Sequence, residues 1–205
     1  MEKETEYLES LAAIRKMMEK SGRFFSLGGL SGILIGLLAL ASAAVAWWLM
    51  GDISPAYVRG TGYAMFDMLT LKLFGLGLLT LLLAVLVSLY FSIRQARSEG
   101  YSLFSRPALN LAFNFCLPLA IGGIMSLYFL WRGDVWYIAP SMLVFYGLAL
   151  FSASRYSVQD LTYLAYAEIL LGLLCLFFLG KGLLFWSIGF GLFHIIYGFA
   201  NLRRS

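Results

Sequence analysis

The chain has 205 residues, of which 61% are apolar and 13% charged. Soluble domains average about 45–50% apolar and about 25% charged, so the composition excludes a soluble globular enzyme and indicates a polytopic membrane protein. The formal net charge of +4 is scattered over several short segments instead of forming a basic domain, which excludes nucleic acid as a partner.

By length the chain holds one domain, divided into a polar leader over residues 1–23 and an apolar remainder over 24–205. In the leader, Tyr7, Leu11, Ile14 and Met18 recur at helical spacing, with Glu2, Glu4, Glu6, Glu9, Lys16 and Lys20 on the other face. This predicts an amphipathic helix at the cytoplasmic membrane surface or the base of the bundle. The same stripe over 1–21 is a candidate docking face for a cytosolic partner.

Six apolar runs follow, near 24–50, 70–93, 107–131, 135–153, 161–179 and 183–201. Each is long enough to cross about 30 Å of hydrocarbon as a helix. They are continuous rather than alternating, which is not a barrel pattern. The predicted fold is all-α: six transmembrane helices arranged as three hairpins.

The first run carries Gly28, Gly32 and Gly36 at intervals of four. Such a face lets another helix approach closely. Packing within the bundle is the preferred reading, and self-association into a homo-oligomer is the alternative. Gly29-Leu30-Ser31-Gly32 resembles the G-x-S-G nucleophile motif of rhomboid proteases. In that family the serine lies on the fourth span, whereas Ser31 opens the first, so no activity is carried over. The outer loop over 51–69 contains Pro55 and several glycines, which predict turns. Trp47, Trp48, Tyr57, Tyr63, Trp131, Trp136 and Tyr137 cluster at outer span ends, like an interfacial aromatic belt.

The third run has Asn110 and Asn114 on one face, followed by Pro118, which predicts a kink or opening. Pro140 predicts the same near the outer end of the fourth. Ile33–Leu40 and Ile169–Leu176 read alike, ILIGLLAL and ILLGLLCL, as a parallel repeat would, but the low complexity of such runs is the preferred explanation. Cys116 and Cys175 fall inside separate runs and read as packing residues.

Eleven of the 15 Lys and Arg residues fall in the leader, the second and fourth loops and the tail. Arg59, Lys72, Arg132 and Lys181 fall on the other side. The positive-inside rule then puts both termini in the cytoplasm.

Glu168 and His194 are the candidate site. Glu168 is the one carboxylate deep in an apolar run, and His194 is the chain's single histidine. Each lies thirteen positions from Lys181, in the predicted turn Gly180-Lys181-Gly182. A hairpin folded there brings both to one depth, in a polar layer with Asn114, Asn110 and Tyr146. Small residues flank the pair: Ala165, Gly172 and Cys175 on the fifth run, and Ser187, Gly191, Gly198 and Asn201 on the sixth. These stripes predict a close α-hairpin. A charge facing lipid costs about 2.5–3.5 kcal/mol on insertion scales, so Glu168 is expected to face inward, with its protonation coupled to that of His194. The preferred role is a structural lock between spans. The alternatives are a proton relay, a counter-ion for a cationic ligand, or an acid–base pair. One histidine excludes a bis-histidine haem, and one His with one Glu falls short of a zinc site, so neither metal nor cofactor is expected.

The stretches RKMMEKSGRFFSLGGLSG near the start and LLFWSIGFGLFHIIYG over Leu183–Gly198 resemble a family of small, uncharacterised six-span bacterial membrane proteins. The resemblance covers about a third of the chain. It implies a bacterial inner-membrane protein and brings no established activity. The function expected is a structural or regulatory membrane protein, with a small proton-coupled transporter or channel as the alternative. An enzyme acting on a lipid or isoprenoid comes third.

Overall fold

A computed structural model describes residues 29–51, 68–99, 106–155 and 161–203. The leader over 1–23, Gly28 and most of the outer loop lie outside the described residues. Those described form an all-helical bundle. Helix α1 is Leu30–Met50, α2 is Met68–Glu99, and α3 is Arg106–Arg132. After a 3₁₀ turn over Val135–Tyr137, α4 is Ile138–Ser154 and α5 is Leu161–Phe177. The last, α6, spans Gly182–Leu202 and contains a π-helical segment over Ser187–Phe193. All but α5 are long and apolar enough to cross a membrane, α4 together with its 3₁₀ turn as Val135–Ser154; α5 is a shorter apolar helix. It ends before the expected residue 179 because Phe178 and Lys181 donate to the carbonyls of Cys175 and Phe178 in tight turns.

The ends of the helices have local causes. Gly133 follows α3 with φ 79°, a left-handed conformation that costs glycine little. Its N–H bonds to the Leu130 carbonyl and that of Asp134 to Phe129, the paired bonds of a Schellman stop. Pro118 does not interrupt α3, since the helix runs through it. Pro140 lies in the first turn of α4, where a missing N–H leaves no helical bond unmade. It marks a helix start, not the expected kink or opening.

Two glycine-lined antiparallel pairs build the interior. In the first, α1 meets α6: a Cβ added to Gly36 would fall 2.6 Å from the Gly191 carbonyl oxygen. One on Gly198 would fall 2.7 Å from that of Gly29. In the second, α4 meets α5: a Cβ on Gly147 would come within 2.8 Å of the Ala165 carbonyl, and one on Gly172 within 2.9 Å of the Val144 nitrogen. Backbones this close gain dispersion contact where a lipid surrounding offers no hydrophobic drive. The expected close α5–α6 hairpin is therefore corrected: Gly172 serves α4, while Gly191 and Gly198 serve α1. The look-alike runs also use their glycines alike, Gly36 and Gly172 each seating a different neighbour.

The two pairs meet through the second face of α6. Leu150, Leu161, Leu164 and Ala165 form a buried cluster between α4 and α5, and Phe193 and Tyr197 of α6 pack on it. Phe185, Ile188 and Phe190 cover a second cluster of Leu143, Leu171 and Cys175. Helix α3 flanks α4, and α2 flanks α1. Thr80 donates to the Leu76 carbonyl at 2.7 Å, so Ser42 donates to Thr80 Oγ1 at 2.6 Å across the α1–α2 contact.

Gly36→Val should separate α1 from α6 and cost about 1–3 kcal/mol, as overpacking does. Gly75→Ala and Gly77→Ala, where an added Cβ meets nothing within 4 Å, should leave the melting temperature unchanged or slightly raised. Thermal unfolding in detergent micelles, followed by tryptophan fluorescence, separates the two classes. Equal losses at all three positions would contradict the pairing.

Candidate functional site

Three helices each contribute one polar side chain to a single point between the two pairs. Tyr146 comes from the middle of α4, Glu168 from α5 and His194 from α6. Glu168 and His194 have 0% and 1% of their surface exposed. The point is closed to solvent.

The hydrogen bonds fix the direction of each proton. His194 Nδ1 lies 3.1 Å from the Gly189 carbonyl oxygen. A carbonyl can only accept, so Nδ1 carries the hydrogen. In the neutral imidazole Nε2 is then bare, and the Tyr146 hydroxyl, 2.6 Å away, donates to it. Both ring nitrogens are satisfied without Glu168. The ring is also held by aromatic neighbours: Phe190 stacks at 6.2 Å between centroids and Tyr146 lies tilted at 5.4 Å. Tyr146 is braced by Phe190 at 4.9 Å and by Phe115 of α3 at 6.2 Å.

Glu168 is different. Its Oε1 lies 3.7 Å from His194 Nδ1, beyond hydrogen-bond length. Neither carboxyl oxygen has a hydrogen-bond partner. The carboxyl rests against bare backbone, since a Cβ on Gly189 would fall 2.5 Å from Oε2. A larger residue than glycine at 189 would displace it.

The π segment explains this geometry. In an α-helix residues 189 and 194 point about 140° apart, at 100° per residue. A π turn widens the coil so that residues five apart come into line. That brings the Gly189 carbonyl under the His194 ring and the Gly189 backbone against Glu168. The sixth-run stripe splits accordingly: Gly191 and Gly198 face α1, while His194 faces α4 and α5.

The structure thus brings together Glu168, His194 and Tyr146. It does not bring in Asn110 or Asn114. Asn110 is exposed, Asn114 only half-buried, and the Asn114 amide donates to the Asn110 carbonyl on its own helix. Cys175 belongs to the neighbouring apolar cluster, and Cys116 is exposed on α3. Sequence reasoning missed Gly189 and Phe190. The paired glycines of Gly189-Phe190-Gly191 were the visible trace of an irregular turn, but helical spacing puts Gly189 on the wrong face.

No protein-family model, curated protein or solved structure matches the chain.

Tyr146→Phe removes the donor to Nε2 and leaves that nitrogen buried and unsatisfied. It should cost about 1–2 kcal/mol. Glu168→Met exchanges an unpartnered carboxyl for an apolar side chain of similar length, and should leave stability unchanged or raised. Equilibrium unfolding in mixed micelles measures both. A large loss for Glu168→Met would show that the carboxyl carries structural weight.

Proposed function

We propose that this chain is an integral membrane protein of the bacterial inner membrane with a structural or regulatory role. Six helices span the bilayer, and both termini face the cytoplasm. The observation that carries the reading is the closed polar joint. Tyr146, His194 and the Gly189 carbonyl form a satisfied hydrogen-bond set around a buried imidazole, which holds two helix pairs in one arrangement. A buried bond of this kind in a helical membrane protein contributes about 0.6 kcal/mol on average, up to about 1.7. That is enough to bias an arrangement without making it permanent.

The setting in a bilayer is supported by the outward faces. Trp47, Trp48 and Trp131 are 70%, 78% and 62% exposed at helix ends on one side, where aromatic side chains sit at an interface. Helix α2 shows apolar side chains on most of its surface. Orientation rests on the excess of Lys and Arg on the other side. The resemblance to small six-span bacterial membrane proteins supports the same location. In this reading the apolar stripe over 1–21 is the face offered to a cytosolic partner.

A small proton-coupled carrier is the second reading. One observation favours it: Glu168 is buried with both oxygens unpartnered, as a transferable group would be.

Two measurements test the proposal. Thiol labelling of single cysteines, introduced near either terminus in a chain without Cys116 and Cys175, should occur only after the inner membrane is opened. A cysteine at Lys181 should label from outside. Reconstituted vesicles should hold an imposed pH gradient as well as empty ones. Labelling of the tail from outside would overturn the orientation, and a protein-dependent proton leak would favour the carrier.

A further inference from the structure

The Nδ1–H of His194 faces two acceptors and serves one. It donates to the Gly189 carbonyl at 3.1 Å, and Glu168 Oε1 waits at 3.7 Å. The carboxyl is fully buried and unpartnered at both oxygens. The accepting carbonyl lies inside the π segment over Ser187–Phe193. In α register it would take the N–H of Phe193, four residues on. The Nδ1–H bond reaches back five residues, the span that the π turn brings into line, so the choice made by one N–H is tied to the register of the helix.

We propose that Glu168 is a proton-binding site whose occupancy sets the register of α6. With a proton on the carboxyl, Glu168 is neutral and needs no strong donor. Nδ1–H stays on Gly189, and the π turn is kept, which is the arrangement described above. On opening of the joint the carboxyl O–H bond breaks and its proton passes to water. A buried carboxylate requires a donor. His194 then turns Nδ1–H to Oε1, closing to about 2.7–2.9 Å as a charge-assisted bond. Tyr146 continues to donate to Nε2. With the five-residue bond to Nδ1 gone, the Gly189 carbonyl takes Phe193 N–H in α register, and the π turn becomes an α turn. One proton leaves, and no other covalent bond changes.

The consequence is mechanical. Losing the π turn rotates the part of α6 above Gly189, relative to the part below, by about 100° and advances it about 1.5 Å. Gly191 sits against Gly36 and Leu40 of α1, so the motion is felt at the α1–α6 contact. Irregular π turns at sites of function are a recurring device.

Among the described residues, the other groups facing the pair do not offer a competing switch. From α4 comes Tyr146, whose hydrogen is committed to Nε2. From α6 comes Tyr197, packed on the same cluster as Tyr146. Between Leu30 and Met50, α1 has no ionisable side chain. On α5, Tyr163 and Tyr166 are exposed and Cys175 lies two turns away. On α3, which flanks α4, Cys116 is exposed.

The inference extends the regulatory reading, and its test needs neither a partner nor flux. Spin labels are placed at Trp48 of α1 and Leu184 of α6, both exposed, in the full chain lacking Cys116 and Cys175, reconstituted in lipid nanodiscs. Pulsed electron paramagnetic resonance then gives the distance between them from about pH 5 to about pH 9. As pH rises the distance should shift by several ångströms, together with loss of a carboxylic-acid band in the infrared. Glu168→Gln, neutral at every pH, should hold the low-pH distance throughout. An unchanged distance, or a shift that persists in Glu168→Gln, would overturn the proposal. If Glu168→Gln fails to fold, the parent series still decides, because a distance that moves while the acid band stays also overturns it. A proton leak through vesicles would sink the regulatory reading and leave this result standing.

Discussion

The joining of the two helix pairs depends on one contact, the hydrogen bond from Tyr146 to His194 Nε2. Apart from the Ser42–Thr80 bond between α1 and α2, the described interior contacts join helices through glycine and apolar packing, which specifies closeness more than registry. Two glycine-lined pairs, α1 with α6 and α4 with α5, can slide with little change in dispersion energy. A directional bond between the pairs removes that freedom. It works because His194 is held from both sides, with Gly189 accepting from Nδ1 and Phe190 stacked on the ring. An imidazole fixed at both nitrogens is a rigid post, and Tyr146 is tied to it.

The π segment is the structural cost of that post. A regular helix would point Gly189 away from His194 and leave the Nδ1 hydrogen facing Glu168 alone. The wider turn instead supplies a backbone acceptor and opens space beside Gly189 for the carboxyl. This separates two roles that a simple acid–imidazole pair would merge. Tyr146, His194 and Gly189 form the fastening. Glu168 stands next to it, buried and uncommitted, available for a proton.

Much of this was legible in the sequence, and the failures are instructive. Continuous apolar runs announced the helices, because length and hydropathy are local properties. Glu168, His194 and Tyr146 were legible as polar residues at one depth. Asn110 and Asn114 were at a similar depth but on the wrong face of α3, and depth alone does not say which way a side chain points. The glycine stripes announced close contacts without naming partners. Sequence adjacency argued for α5 against α6, whereas the shapes matched α1 to α6 and α4 to α5. Gly189 was hidden because its role needs five residues per alignment, and helical spacing counts in threes and fours. The character of 1–23 as an amphipathic segment stands on periodicity alone.

The fastening rests on which nitrogen of one ring carries a hydrogen, and the chain has a single histidine. Solid-state ¹⁵N spectra of protein labelled at histidine, in lipid bilayers, therefore report His194 without overlap. The account predicts a protonated Nδ1 and a bare, hydrogen-bonded Nε2 whose resonance moves when Tyr146 is replaced by Phe. A hydrogen on Nε2 with a bare Nδ1, or an Nε2 resonance indifferent to Tyr146→Phe, would contradict it.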